Sequence, residues 1–159
     1  MDGGVIPTNK EKEKLYADAA LRIEGLVTGE TDPIARMAGA VSVLHHGLPH
    51  YFWTGFYRVV GNELVVGPYQ GTPACGRIWW GKGVCGTAWK DGVTQVVEDV
   101  HAFEGHIACD ASSESEIVVP VRDVEGKVIA VLDVDSQEKG AFNEIDQVWL
   151  EKIVTHFKA

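Results

Sequence analysis

Residues 81–86 read Gly81-Lys82-Gly83-Val84-Cys85-Gly86, and the architecture turns on what those glycines are for. The run satisfies G-x-G-x-x-G, the turn of a dinucleotide-binding unit. With the residues before it, Gly76-Arg77-Ile78-Trp79-Trp80-Gly81-Lys82, it also supplies most of a G-x-x-x-x-G-K phosphate loop. Either nucleotide reading requires a hydrophobic strand running into the glycines, a crossover helix and a parallel strand. The surrounding residues fit neither. A phosphate loop needs Ser or Thr after its lysine, and Gly83 stands there. The segment 67–81 is rich in Gly and Pro and carries Trp79-Trp80, so it reads as loop with a short strand over 77–79.

On either side of this loop, the period of the apolar residues identifies the elements. A short helix over 84–90 ends at Asp91-Gly92, and a short strand follows over 94–97. Residues 98–115 show neither helical nor strand period, and a loop of that length in a compact domain is usually functional. Strands over 116–121 and 127–135 flank a Glu125-Gly126 turn, and Asn143 caps a C-terminal helix with Ile145, Val148, Trp149 and Ile153 inward. Toward the N-terminus, Gly61-Asn62 joins strands over 51–60 and 63–66. The capping box Thr8-x-x-Glu11 opens a first helix with Leu15, Ala19, Ile23 and Leu26 in one stripe. Asp32-Pro33 opens a second, with Ile34, Met37, Ala38, Val41 and Leu44 inward and Gly47 and Pro49 at its end. Hairpin connections force antiparallel neighbours. The order therefore predicts an α+β chain, one domain over 1–159. Its N-terminal helices lie over about 8–47, its sheet and active-site loops over about 50–135, and its C-terminal helix over about 143–158.

At 159 residues and 45% apolar, the chain is long enough to bury one core. Its net charge of −9 leaves no basic stripe to track a phosphate backbone, which argues against nucleic acid. The opening MDGGVIPTNKEKEK has no apolar signal region and no run approaches a membrane span, so a cytoplasmic protein without membrane contact is expected. Three cysteines are an odd number, which argues against a structural disulfide framework. Each sits in polar, Gly-rich or Ser-rich sequence (PACGR, GVCGT, IACDASS), the setting of a reactive or metal-binding thiol rather than of a small core residue.

The run Val128-Ile129-Ala130-Val131-Leu132-Asp133-Val134-Asp135 is the sharpest anomaly. Asp133 and Asp135 project from one face of a strand, about 7 Å apart. Two such charges at the end of an apolar strand are costly unless the strand emerges into solvent or a cation lies between them. That cation is either a metal or a substrate ammonium. Glu116 opens the neighbouring strand and falls at the same edge of the hairpin, so three carboxylates converge beside Cys109. Nearby negative charge makes a thiol a poorer nucleophile, yet carboxylates hold an ammonium, and a protonated one donates to a departing oxygen. This combination suits an amino acid bearing a reducible, oxygenated group. A zinc set of Cys75, Cys85, Cys109 and His106 lacks any C-x2-C, and gaps of ten and twenty-four residues are not the usual ligand pairs, so no metal is expected. His101 and His106 either lie near the thiols or are solvated hydrogen-bonders. Most of the five tryptophans are expected in the core or an interface, and Trp53 is placed to wall a pocket for a methyl or thioether group.

The run GPYQGTPACGRIWWGKGVCGTAWKDGVTQVVEDVHAFEGHIACDASSESEIVVPV, with GKVIAVLDVDS and FNEIDQVWLEKI after it, resembles the GAF-domain free methionine-(R)-sulfoxide reductases. The resemblance spans about 51–157 and includes all three cysteines; PAC, GVCGTA, HIACD, SEIVVP and VLDVDS are its most specific pieces. It implies a single GAF (PAS-like) domain, an antiparallel sheet of about six strands flanked by helices. It also implies an enzyme that reduces free methionine (R)-sulfoxide to methionine without a cofactor. By that resemblance Cys109 attacks the sulfoxide sulfur and becomes a sulfenic acid, Cys75 or Cys85 resolves it as a disulfide, and thioredoxin restores the thiols. Glu116, Asp133 and Asp135 would bind the ammonium and polarise or protonate the oxygen, with Trp53 against the methyl end. The rival is a GAF domain used as a small-molecule sensor. The N-terminal helices either pack across a homodimer or cover the chain's own sheet.

Overall fold

The computed structural model describes residues 5–107 and 109–158. Helix α1 (Asn9–Val27) starts where the T-x-x-E pattern places it. The Glu11 amide donates to Thr8 Oγ1 at 3.2 Å and the Thr8 amide donates to Glu11 Oε1 at 2.9 Å. Helix α2 (Pro33–Gly47) is capped by Asp32, whose Oδ1 accepts from the Ile34 amide at 2.8 Å. The expected stripes are partly displaced. Ala19 and Ile23 are buried, but Leu26 is 52% exposed and the face is completed by Lys12, Tyr16 and Val27. Lys12 and Tyr16 turn inward because a buried acid awaits them, which a purely apolar pattern misses. In α2, Met37, Val41 and Leu44 face inward, while Ile34 and Ala38 are exposed and Ala40 and Val43 are buried. That helix packs on α1 as well as on the sheet, which rotates its buried face.

Strands β1 (Trp53–Val60), β2 (Glu63–Gln70), β3 (Arg77–Trp79), β4 (Gln95–Val97), β5 (Ser115–Arg122) and β6 (Val128–Ser136) form one six-stranded sheet in the order β3-β2-β1-β6-β5-β4. Every pairing in it is antiparallel, as hairpin connections require. Helix α3 (Gly83–Asp91) lies between β3 and β4, and α4 (Glu144–Ile153) follows β6. One face of the sheet, with Phe56, Ile117, Val119, Leu132 and Val134, packs under α1, α2 and α4. The other, with Tyr57, Leu64, Val118 and Val131, packs against Cys85, Ala88 and Trp89 of α3. Ile153 of α4 points inward as the pattern implies and Ile145 and Trp149 are half-buried, whereas Val148 is 43% exposed and Leu150 and Asp146, outside the expected stripe, are buried. Of the tryptophans, Trp53 and Trp89 are buried, while Trp79 and Trp80 are exposed.

Asp146 anchors the helical face. Its Oδ2 takes Lys12 Nζ at 2.5 Å and the Asn143 amide at 2.8 Å, and its Oδ1 takes the Tyr16 hydroxyl at 2.6 Å and His50 Nε2 at 2.8 Å. Burial alone would push this carboxyl up, but the hydrogen bonds from His50, Lys12 and Tyr16 outweigh it and hold the group below its usual range.

The glycines of 81–86 serve backbone geometry. Gly81 and Gly83 have φ of +72° and +64°, conformations that favour glycine. A Cβ at Gly86 would stand 2.6 Å from the Trp79 carbonyl oxygen, so the start of α3 passes against the end of β3 only because no side chain intervenes.

Candidate active site

Strand register assembles the acids. Glu116 of β5 lies opposite Asp135 of β6, and Val118 lies opposite Asp133. On the other side of β6, Trp53 pairs with Asp135 and Gly55 with Asp133. Alternation then places Glu116, Asp133, Asp135 and Trp53 on the face that α3 covers. Strand β6 does not emerge into solvent at Asp133, since Glu116 and Asp133 are each only 5% exposed, while Asp135 is half-buried at the pocket edge. Asp133 Oδ1 is buried without a hydrogen-bond partner. Burial, reinforced by the charges of Asp133 and Asp135, pushes the Glu116 carboxyl well above its usual range. Asp135 is raised by burial and by Asp133, and Asp133 by burial, against hydrogen bonding from Glu116 and Cys85. Three carboxyls so placed oppose one another's ionisation, and a bound cation relieves that opposition.

The cysteines divide into two kinds. Cys75 and Cys109 are joined in a disulfide with a Cα–Cα distance of 5.4 Å. Cys85 is free and buried on α3, and burial together with Asp133, Glu116 and Asp135 pushes its thiol well up. The expected alternatives for a partner of Cys109 were Cys75 and Cys85, and the bond present joins Cys75. Ala108, within the HIACD motif, lies outside the described residues.

Residues that sequence reasoning did not single out hold this arrangement. Thr72 Oγ1 donates to Asp110 Oδ2 at 2.6 Å, tying the loop before β3 to the Cys109 loop. That bond, with the Ser112 amide at 2.7 Å on Oδ1, holds the Asp110 carboxyl below its usual range. Trp53 Nε1 donates to the Thr72 carbonyl at 2.9 Å, and the Tyr57 hydroxyl donates to the Cys75 carbonyl at 3.0 Å. The Trp53 indole lies over Gly55, where a Cβ would come within 2.5 Å of its ring, and stacks against Tyr57 at 5.9 Å and Tyr69 at 5.2 Å. A Gly between two aromatics on a strand was the available signal. Of the two loop histidines, His106 joins the site, its Nε2 3.8 Å from Glu116 Oε1, and burial lowers its pKa. His101 pairs with Glu114 near the surface instead.

These groups enclose a cavity of about 40 Å³ with Trp53 on one wall, the acids on another, and Cys85 and Cys109 at its edges. The arrangement offers an aromatic surface for an apolar group, buried acids for a cation, and a redox-active pair beside them.

Residues 34–158 match the family model described as GAF domain, and an antiparallel sheet with its pocket under α3 is that architecture in this chain. "Protein YtsP" of Bacillus subtilis is 51% identical over 88% of this chain and 86% of its own length. The free methionine-R-sulfoxide reductase of Escherichia coli is 44% identical over 92% of this chain and 88% of its own. The solved structure of free methionine-R-sulfoxide reductase from Neisseria meningitidis in complex with its substrate superposes with a TM-score of 0.89 at 41% identity, covering 99% of this chain and 94% of that one. The chain belongs to the GAF-domain free methionine-(R)-sulfoxide reductase family.

Proposed function

We propose that this chain reduces free L-methionine (R)-S-oxide to L-methionine. The observation that carries the reading is a triad of acids, two of them buried and one of those with an unpartnered oxygen, facing a cysteine pair that can close as a disulfide. The reduced Cys109 thiolate attacks the sulfoxide sulfur while an acid of the triad that retains its proton donates to the oxygen. Methionine leaves as the thioether and Cys109 is left as a sulfenic acid. The Cys75 thiol then displaces water from that sulfenic acid and the disulfide forms, so one sulfoxide and two thiols become one thioether, one disulfide and one water. Cys109 is exposed and Cys75 half-buried, which leaves the bond within reach of an external dithiol such as thioredoxin.

Glu116, Asp133 and Asp135 hold the substrate ammonium, and Trp53 packs against the methyl end, where an aromatic ring favours a polarisable sulfur. The first turn of α3, which no side chain caps, borders the pocket and offers backbone N–H groups for the substrate carboxylate, alongside the Cys109 loop. A methionine sulfoxide inside a protein has no free ammonium and would leave the acids unpaired, which sets the preference for the free amino acid. The buried face of α1 packs on α2 and α4 of the same chain, so a homodimer built on the N-terminal helices would use the apolar residues they leave exposed, Leu21, Leu26 and Ile34. Among the described residues no helix is long and apolar enough to cross a membrane.

The test is to incubate the protein with a thioredoxin system or a small dithiol and each epimer of methionine sulfoxide, following methionine release. Turnover of the free R epimer is expected. Binding without turnover would favour a sensor and overturn the enzymatic reading.

A further inference from the structure

Cys85 is the nucleophilic group that this reaction leaves unused, and its surroundings are those of a ligand set. Its Sγ, one oxygen of Glu116 and one of Asp133 lie within 4.8 Å of one another, all three residues being buried. Asp133 Oδ1 has no hydrogen-bond partner, so one donor of the set is unused within the protein. His106 Nε2 stands 3.8 Å from Glu116 Oε1, and among the described residues it is the only basic group within ion-pair distance of the three acids. Bonds of about 2.0–2.3 Å to a tetrahedral ion place neighbouring donors roughly 3.3–3.8 Å apart. The Glu116–His106 edge already fits at 3.8 Å. Cys85, Glu116 and Asp133, within 4.8 Å of one another, close onto an ion by side-chain movement of about an ångström, while the His106 ring lies outside that cluster and swings toward it to complete the set. The cavity of about 40 Å³ between them accepts an ion without displacing core residues.

We propose that Cys85, Glu116 and Asp133, with His106 as fourth donor, form a site for a thiophilic divalent cation of the zinc class. The donor set is one sulfur, two carboxylates and one imidazole, which selects a borderline-soft tetrahedral ion over magnesium or calcium, whose sites are built from oxygen alone. As the metal bonds form, the Cys85 thiol, and Glu116 or Asp133 where either carries a proton, release it to solvent, and no electron transfer is involved. Neither Cys75 nor Cys109 is a ligand, so the site persists whether or not their disulfide is closed. The ion takes the carboxylates proposed for the substrate ammonium and therefore excludes substrate. That consequence rests on the proposed function; the binding itself does not.

The experiment titrates the fully reduced protein with zinc against a chromophoric chelator and with cobalt(II) by absorption spectroscopy. One ion per chain is expected, with a thiolate-to-cobalt charge-transfer band in the near ultraviolet. Cys85→Ser and Asp133→Asn should each weaken binding at least about tenfold and Cys85→Ser should abolish the band. The double variant Cys75→Ser/Cys109→Ser, which leaves the buried site intact, should keep both. Binding and band that survive Cys85→Ser, loss of both in the double variant, or no binding at micromolar zinc would each overturn the proposal. Zinc should also raise the KM for free methionine (R)-sulfoxide linearly with free zinc concentration, with kcat unchanged. A protein that binds zinc as described and turns over no sulfoxide would defeat the proposed function and leave this site standing. Turnover without zinc binding would do the reverse.

Discussion

Asp146 and Asp133 are buried carboxylates on opposite faces of one sheet, and their surroundings could hardly differ more. Asp146, wholly buried, receives Lys12, Tyr16, His50 and a backbone amide from its own chain. Asp133 faces two further acids and a thiol, with one oxygen unpartnered. The protein holds the first carboxyl below its ordinary pKa and pushes the second above it. An acid with donors from its own chain fastens helices together; an acid denied them stores a deficit that a bound cation relieves.

Removing the donor-rich acid should cost most. Asp146→Ala strands Lys12 in the interior and should lower unfolding free energy by about 3–5 kcal/mol, read as a denaturant midpoint. At the other site the trade runs the opposite way. Asp133→Asn or Glu116→Gln should lower kcat/KM for free methionine (R)-sulfoxide by on the order of a hundredfold, while stabilising the ligand-free protein by roughly 1 kcal/mol. A variant that lost both activity and stability would erase the contrast.

The pH dependence of stability should separate the two sites as well. Asp146, with its folded-state pKa lowered, contributes stability present above its unfolded value near 4 and lost as pH falls through the folded one. Glu116, Asp133 and Asp135, with theirs raised, contribute stability complete below about 4 and lost as pH rises through the folded values. Asp146→Asn should therefore flatten the acid limb of a melting-temperature profile, and Asp133→Asn the decline that sets in as pH rises above about 4. A smaller effect is expected at the loop tether. Thr72→Ala removes the hydroxyl that holds Asp110 and should slow closure of the Cys75–Cys109 disulfide a few-fold, at a cost of about 1 kcal/mol, measured by thiol trapping after a single turnover.

The sequence carried different parts of this account unequally. Capping at Thr8, Asp32 and Asn143 and the turns at Gly61 and Gly126 are local chemistry, so the elements and their antiparallel pairing were legible. The meeting of Glu116 with Asp135 was legible too, because a hairpin turn fixes register. The Lys12–Asp146 pair was not, since a lysine in a helix reads as solvated unless its partner, 134 residues away, is known. The same applies to Thr72 and Asp110, ordinary polar loop residues that become a tether only when two loops meet. Choosing Cys75 over Cys85 required the distance across that meeting point. Cys85 sits in the most conspicuous motif of the chain, yet its thiol stays free and lies among the acids of the pocket.

The central claim is that the acids around Asp133 await an ammonium from outside the chain, and the most direct measurement is a thermal shift on Cys109→Ser, which binds without turnover. Free L-methionine (R)-S-oxide should raise the melting temperature in a saturable manner, while its N-acetyl derivative, which lacks the ammonium, should leave it unchanged. Equal shifts by the two would contradict the account.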